Sequence, residues 1–324
     1  MSEASAPPRK LALIAAFAAI YLIWGSTYLG IRFAIESIPP LLMAGTRFFL
    51  AGVVMFVVAL WQGARCSSLA EWRTALIVGA CLLFCGNGSV TIAEQWVPSG
   101  LASLLVATVP IDIALLDWIS GSAPRPRPMV LLGLAGGFAG VGILVGPALT
   151  APSAGGSRHA GLGMFILLFG DFLWSIGSLY SRRARSAASP FLSSAQTMLC
   201  GGALMMIAGF ARGEARGFDP HQVTAVSLGA FIYLVLVGAI VGYTTYIWLL
   251  RHCDPSKVAT YAYVNPVVAV LLGSLFAGET LNLRTIVAAV IIIGAVAVVI
   301  TAQQAQEKVP VLTRPQLHKR TESS

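Results

Sequence analysis

Three charged side chains, Arg47, Asp112 and Asp171, lie deep inside long apolar segments of this sequence, where an unused charge is costly. Arginine presents a planar pair of donors that matches a carboxylate or a phosphate, so Arg47 can bind an anionic group or pair with an acid on another helix. The two aspartates can bind a cationic group beside aromatic rings, carry a proton, or balance Arg47. These alternatives stay open, and the three residues are the first candidates for a functional site.

Two stripes of polar residues have the spacing of one helix face. They are Asp171, Trp174 and Ser178, which we expect to face one neighbouring helix, and Asn87, Thr91 and Glu94, which run toward the outer end of their helix. Uncharged members of such stripes also hydrogen-bond between helices, so packing is an equal alternative for Asn87 and Thr91. Glu94 is either a gating or coupling residue or simply solvated.

The remaining candidates are aromatic, hydroxyl and amide side chains inside apolar segments, which suit cavity lining and helix packing equally. They are Trp24, Thr27, Tyr28, Gln196, Tyr246, Tyr261 and Asn265. No catalytic set, metal site or cofactor is predicted. The four histidines lie outside the apolar segments, the five cysteines contain no CxxC pair, and the glycine-rich stretch 86–89 lacks the lysine of a phosphate-binding loop.

The composition indicates which solvent surrounds these residues. Of 324 residues, 57% are apolar and 10% are charged, and the mean hydropathy is +0.81. A soluble domain carries roughly 25% charged residues, so this chain cannot cover itself in water. A soluble enzyme, a nucleic-acid binder and a disordered scaffold are excluded despite the net charge of +8. The main partner of the chain is the lipid bilayer.

A helix of about 20 apolar residues crosses the hydrocarbon core of a bilayer, and the sequence contains ten such segments. They are 11–31, 41–61, 74–93, 99–119, 128–148, 160–180, 190–210, 227–250, 256–276 and 284–301. The first is too long for a signal peptide and is expected to be retained. With the N-terminus inside, fifteen of the 21 lysines and arginines fall on the cytoplasmic side. Both tails, 1–10 and 302–324, are therefore predicted to be cytoplasmic, and the chain from Gln303 is predicted to be disordered.

The two halves of the chain resemble each other at spacings of about 150 residues. Trp24 in the first half corresponds to Trp174 in the second, and Leu50-Ala51-Gly52 corresponds to Leu199-Cys200-Gly201. The stretch from Ala102 to Pro110 corresponds to the stretch from Val258 to Pro266. This assigns one repeat to 11–149 and a second to 160–301, and it puts Gln196 at the repeat position of Arg47. Because each repeat holds five helices, the second must be inverted. We predict an all-α integral membrane protein whose two inverted five-helix repeats surround a central cavity, with matched helix kinks at Pro110 and Pro266.

Several stretches resemble the EamA family of the drug/metabolite transporter superfamily, in particular its YedA-type inner-membrane members. They are Ile23-Trp24-Gly25-Ser26-Thr27-Tyr28, Gly86-Asn87-Gly88-Ser89-Val90-Thr91, Val97-Pro98-Ser99-Gly100 and Gly278-Glu279-Thr280-Leu281, together with 39–48, 93–94 and 261–273. The resemblance covers about residues 11 to 301. It implies a ten-helix, two-repeat carrier of small organic solutes in the bacterial inner membrane, with its site in a central cavity, and it does not imply a particular substrate. Asp112 and Asp171 depart from the YedA-type pattern.

The expected function is a secondary transporter, an exporter of metabolites or drugs that works by alternating access and is coupled to protons. A cationic or zwitterionic solute is favoured, and no nucleic acid is expected to bind. An uncoupled facilitator of the same fold is the alternative, and a membrane-embedded lipid-modifying enzyme is disfavoured because no histidine lies at membrane depth. The glycine pairs Gly136/Gly140, Gly142/Gly146 and Gly238/Gly242 favour close helix packing, with homodimerisation as the second interpretation.

Overall fold

The structure is a computed structural model. It describes residues 10–65, 67–121, 128–150, 155–187, 189–253, 258 and 261–307, and within these it gives the backbone alone for 144–150, 155–158, 250–251, 263 and 303–307. Among the described residues the regular secondary structure is entirely helical. The predicted tail residues 1–9 and 308–324 lie outside them.

The described residues contain ten apolar helices. We number them α1 (Lys10–Ala34), α2 (Pro40–Trp61), α3 (Leu69–Ala93), α4 (Ser99–Ile119), α5 (Pro128–Thr150), α6 (Gly155–Arg183), α7 (Pro190–Ala211), α8 (225–252), α9 (Tyr261–Phe276) and α10 (Leu283–Glu307). Eight of the described helices are long and apolar enough to cross a membrane, and shorter apolar stretches occur at Pro128–Ile143 and Val264–Phe276. The ten predicted segments are thus found as helices. The expected disorder from Gln303 is wrong for its first residues, because α10 continues to Glu307.

Three of these helices contain a change in their backbone geometry. The middle of α3 is π-helical over Gly79–Asn87, and the middle of α8 is π-helical over Leu234–Val241, which is the equivalent position in the second half. In α4 the helix is interrupted between Val106 and Val109. Pro110 has no N–H, and the Ile111 N–H donates to the Thr108 carbonyl at 2.8 Å instead of continuing the α-helical pattern. Pro266 lies inside α9.

The helices α2 and α7 approach each other closely enough for their backbones to touch. A Cβ added at Gly202 would lie 2.6 Å from the Phe49 nitrogen, and one added at Gly52 would lie 2.9 Å from the Leu199 nitrogen. Gly45 meets the Gly202 carbonyl oxygen in the same way. Since rising numbers on α2 meet falling numbers on α7, these equivalent helices run antiparallel.

The rest of the packing follows the same pseudo-symmetry. The fifth helices, α5 and α10, also run antiparallel, with Gly133 against Val299 and Gly140 against Ile292. The first helix of each half crosses to the other half: α1 packs against α8 and α9, and α6 packs against α3 and α4. The fold is therefore built from two five-helix repeats that interlock, and any site around α1 and α6 contains residues of both.

The α2–α7 contact corrects the register of the repeat. Gly45 contacts Gly202, and Gly52 contacts Ala195. These two contacts are related by the pseudo-symmetry if equivalent residues are 150 positions apart, because Gly45 then corresponds to Ala195 and Gly52 to Gly202. Gly202, not Gly201, is then the counterpart of Gly52, and Thr197, not Gln196, is the counterpart of Arg47. The sequence permitted the error because two glycines stand side by side in α7.

The glycine pairs have partners within the chain. Gly238 faces Thr27 and Gly242 faces Trp24, both on α1. A Cβ added at Gly136 would lie 3.6 Å from the Ala295 methyl group. These contacts support the packing interpretation for Gly136, Gly238 and Gly242, whereas a Cβ added at Gly142 meets nothing within 4 Å.

We predict that Gly202→Ala destabilises the protein, because the new methyl group would overlap the α2 backbone, which cannot rotate away as a side chain can. Overpacking of this kind costs about 1–3 kcal/mol. The measurement is the thermal unfolding midpoint of the purified protein in detergent. Gly294→Ala is the matched control, because a Cβ at Gly294 meets nothing within 4 Å. Equal midpoints for both variants would contradict the importance of the α2–α7 contact.

Candidate functional site

Arg47 lies about 10 Å along α2 from its start, by the rise of 1.5 Å per residue. Its side chain is 4% exposed, and its Nε and Nη1 have no hydrogen-bond partner in the protein. The guanidinium carbon lies 4.5 Å from the ring centre of the adjacent Phe48. The groups that act on it electrostatically are Tyr243, Glu94 and Tyr233, and a Cβ at Gly238 would lie 3.7 Å from its Nη2. Arg47 therefore faces α8 and the end of α3, toward the interior.

Glu94 ends α3 and is 1% exposed, so the interpretation that it is simply solvated is wrong. Neither carboxylate oxygen has a hydrogen-bond partner in the protein. Its carbonyl oxygen accepts a bond from Arg32 Nη1 at 3.3 Å. Glu94 interacts electrostatically with Arg32, Arg47 and Glu279. No ion pair joins Arg47 to Glu94 within 4 Å in the described chain, so the two opposite charges are close but not in contact.

Asp171 and Asp112 come together between α6 and α4. Asp171 is 2% exposed, its Oδ2 has no partner in the protein, and it interacts electrostatically with the half-buried Asp112. Neither forms an ion pair with Arg47 among the described residues, and the acid that acts on Arg47 is Glu94. The interpretation that the two aspartates balance Arg47 therefore has no support in the geometry.

The stripe that contains Asp171 does not face a single helix. Trp174 contacts α3, where a Cβ at Gly86 would lie 2.5 Å from its ring, while Asp171 interacts with Asp112 on α4. Ser178 donates its hydroxyl to the Trp174 carbonyl at 2.8 Å. The stripe thus faces the groove between α3 and α4, because 100° per residue spreads three positions over two neighbours.

Tyr28 of α1 connects these groups. Its electrostatic neighbours are Asp171 of the second repeat, Glu94 of the first, and Tyr261. The polar groups on α2, α3, α4 and α6 therefore form one chain of neighbours through α1, from Arg47 through Glu94 and Tyr28 to Asp171.

An aromatic cluster surrounds Trp24 on the same helix. The centres of the Tyr243, Tyr246 and Tyr261 rings lie 5.6, 5.1 and 5.0 Å from that of Trp24, and Tyr246 and Tyr261 lie 6.1 Å apart. Edge-to-face and tilted ring contacts of this kind stabilise the cluster and present ring faces to a cation. Three of the four rings were predicted as site residues. Tyr243 was missed, because nothing in its local sequence distinguishes it from a lipid-facing tyrosine.

The other predicted residues take less direct positions. Thr27 and Thr91 donate their hydroxyls to their own helices, to the carbonyls of Trp24 at 2.7 Å and Asn87 at 2.9 Å. Gln196 and Asn265 are 1% and 7% exposed, and Gln196 Nε2 and Oε1 and Asn265 Oδ1 have no partner in the protein. A Cβ added at Gly25 would lie 3.2 Å from the backbone carbonyl oxygen of Asn265, so α9 packs closely against α1 at this point.

Several residues that shape the site carried no sequence signal for that role. Tyr233 reaches Ser26 through a hydroxyl–hydroxyl contact of 2.6 Å. Two carboxylates bind helix starts: Glu214 accepts from the Leu41 and Leu42 N–H groups, and Glu279 accepts from Ser99 and Gly100. Within the described ranges no three His, Cys, Asp or Glu side chains are arranged to hold a metal ion.

Comparison with known proteins adds the following. Both halves of the chain match the family described as the EamA-like transporter family, over residues 10–146 and 161–301. The chain is 38% identical over 274 residues to the uncharacterized inner membrane transporter YedA of Escherichia coli K12, covering 84% of this chain and 85% of the relative. It is 25% identical over 301 residues to the uncharacterized transporter YvbV of Bacillus subtilis, covering 93% of this chain and 95% of the relative.

A protein of Salmonella typhimurium named as a probable amino-acid metabolite efflux pump is 26% identical over 283 residues, covering 84% of this chain and 89% of the relative. One solved crystal structure superimposes with a TM-score of 0.59 at 20% identity, covering 91% of this chain and all of that chain. That likeness supports the fold alone.

We predict that Arg47→Met keeps or raises the thermal unfolding midpoint. Replacing a buried charge that lacks partners with an apolar side chain of similar length is often neutral or stabilising by about 1–4 kcal/mol. If Arg47 instead bonds helices together, the same change lowers the midpoint. Arg212→Met, at an exposed position after α7, is the control and should change little.

Proposed function

Because the chain belongs to the EamA-like transporter family, it is a membrane transporter, and we propose that it exports small organic solutes across the bacterial inner membrane by alternating access. The observation that carries the proposal is the set of buried polar groups without protein partners between the two repeats. Arg47, Glu94, Asp171 and Asn265 belong to it. Leaving such groups unpaired costs about 1–3 kcal/mol each, more for charges, so a stable fold alone gives no reason to keep them.

The solute we propose is zwitterionic or cationic. Arg47 Nε and Nη1 are free to take a carboxylate, while Glu94 has two carboxylate oxygens free to take an ammonium group. Trp24 and its three tyrosines offer ring faces to a cation or an apolar side chain. The name of the Salmonella relative, a probable amino-acid metabolite efflux pump, is in keeping with this class.

In the proposed cycle the repeats at 11–149 and 160–301 rock against each other. The interruption of α4 before Pro110 and the proline inside α9 supply the two places where the fourth helices can bend. Asp171, with Asp112 beside it, carries the coupling proton. Both termini face the cytoplasm, as the distribution of lysine and arginine favours.

A comparative efflux screen tests the function. Cells with and without the protein are loaded with amino acids, polyamines or organic cations, and the efflux rates are compared. Faster efflux of zwitterions or cations supports the proposal, and release of a chemically altered compound would point to an enzyme instead. An exclusive preference for anions would leave Arg47 as the sole recognition group and contradict the role of Glu94.

We predict that Asp171→Asn abolishes the stimulation of transport by a pH gradient while it preserves solute exchange without one. The amide keeps the shape of the side chain but cannot carry a proton. The transport rate measured with the gradient should fall by about tenfold or more, and a factor of ten corresponds to about 1.4 kcal/mol. Uptake into proteoliposomes, with and without the gradient, measures it. If Asp171 binds the cationic group of the solute, both rates fall.

The control is Asp117→Asn, which removes a carboxylate of the same helix bundle that pairs with the exposed Arg182 at 3.3 Å. It should leave the gradient dependence intact. Unchanged transport by Asp171→Asn in both conditions would exclude Asp171 from both roles, and a wild-type protein that ignores the gradient would identify an uncoupled facilitator.

A further inference from the structure

Glu279 joins the fourth helices of the two repeats. It follows the end of α9, and its carboxylate binds the start of α4, where Oε1 accepts from the Ser99 N–H and hydroxyl at 2.7 Å each. Its Oε2 accepts from the Gly100 N–H at 3.0 Å. A carboxylate at a helix start satisfies N–H groups that have no partner in the helix and lies at the positive end of the helix dipole.

The position of this carboxylate is closely shaped by glycines. A Cβ at Gly273 would lie 2.5 Å from Oε2, and a Cβ at Gly100 would lie 3.2 Å from it and 3.1 Å from the Val270 Cα. Gly278 has φ +64°, which turns the chain directly before Glu279. Glycine is therefore required on both helices for Glu279 to reach the α4 backbone.

The sequence does not repeat the residues of this contact at the opposite end of the two helices. The spacing of 156 residues that relates Pro110 to Pro266 relates Gly100 to Ser256, Ser99 to Pro255, and Glu279 to Ala123. Proline has no N–H to donate and alanine has no carboxylate to accept, so the sequence cannot build the same contact there. Among the described residues near the end of α4, Asp117 forms an ion pair with Arg182, whose side chain is 60% exposed. Exposed pairs contribute little.

We propose that Glu279 is a one-sided latch that holds α4 against α9 at the end where α4 begins, so that the opposite end of this helix pair opens first. The proposal rests on the alternating access described above. In the orientation proposed there, the latched end is extracytoplasmic, and the protein waits closed to the outside and ready to open to the cytoplasm, as an exporter requires.

Cysteine accessibility tests the latch without any knowledge of the solute. Ser103 lies 1% exposed one turn below the latch, where its hydroxyl donates to the Gly100 carbonyl at 2.7 Å. Ser103→Cys, in a chain whose five native cysteines are replaced, is labelled with a membrane-impermeant maleimide in right-side-out and in inside-out vesicles. We expect Glu279→Gln to raise the labelling rate from the latched side by about tenfold, because its amide group would point a donor at a backbone donor.

The matched control is Glu214→Gln. Glu214 also accepts from two N–H groups at a helix start, Leu41 and Leu42 at 3.0 Å each, but it joins α2 to the region after α7, the pair held together by its glycines. This variant should not change the labelling of Ser103→Cys. Ser99→Ala, which removes a single donor from Glu279, should raise the rate by a smaller factor and covers the case in which Glu279→Gln folds poorly.

Equal labelling of the Glu279→Gln and Glu214→Gln backgrounds would overturn the latch, as would faster labelling from the opposite side. Failure of the latch and failure of the proposed function give different results. If the protein moves no solute but Glu279→Gln raises the labelling rate, the latch is supported and the proposed transport cycle is contradicted. If the protein exports solute but Glu279→Gln does not change the labelling rate, only the latch is contradicted.

Discussion

The backbone contact between α2 and α7 fixes the frame of this molecule. In lipid, helices gain no hydrophobic free energy from meeting each other, so close packing through small residues has to hold them together. Gly45, Gly52 and Gly202 permit that packing at the centre of the chain, and they set α2 and α7 antiparallel. Once these equivalent helices are antiparallel, the remaining helices of the second half are inverted relative to those of the first.

The crossing of the first helices follows from this frame and gives the site its character. Because α1 packs on α8 and α9, and α6 packs on α3 and α4, each repeat supplies one helix to the other half. Tyr28 therefore has neighbours in both repeats, Glu94 in one and Asp171 in the other. A solute bound to these groups touches both halves, so its binding free energy can act on their relative position, which is what alternating access requires.

The sequence predicted the parts of this structure that hydropathy and spacing can report. The ten helices and the burial of Arg47 and Asp171 follow from the cost of polar groups in lipid, and the duplication follows from the spacing of similar residues in the two halves. Hydropathy does not show which residues are neighbours in space, so Tyr243, Tyr233 and Glu214 were missed. For the same reason Asp171 was considered as a partner for Arg47, whose neighbouring acid is Glu94. The π-helical segments at Gly79–Asn87 and Leu234–Val241 were also missed, because hydropathy does not distinguish i→i+5 from i→i+4 hydrogen bonds within an apolar segment.

The differences between the repeats carry as much information as their likeness. Perfectly equivalent halves would give inward-open and outward-open states of equal free energy, and the protein would have no preferred resting side. Here Arg47 corresponds to Thr197 in the register of the α2–α7 contact. Glu279 corresponds to Ala123 in the register of the fourth helices. In the proposed cycle, each such difference can add an interaction to one state that the other lacks, and a few charge-assisted hydrogen bonds are enough to shift the populations many-fold. In that cycle, the direction in which the empty protein faces depends on the residues at which the duplicated halves diverge.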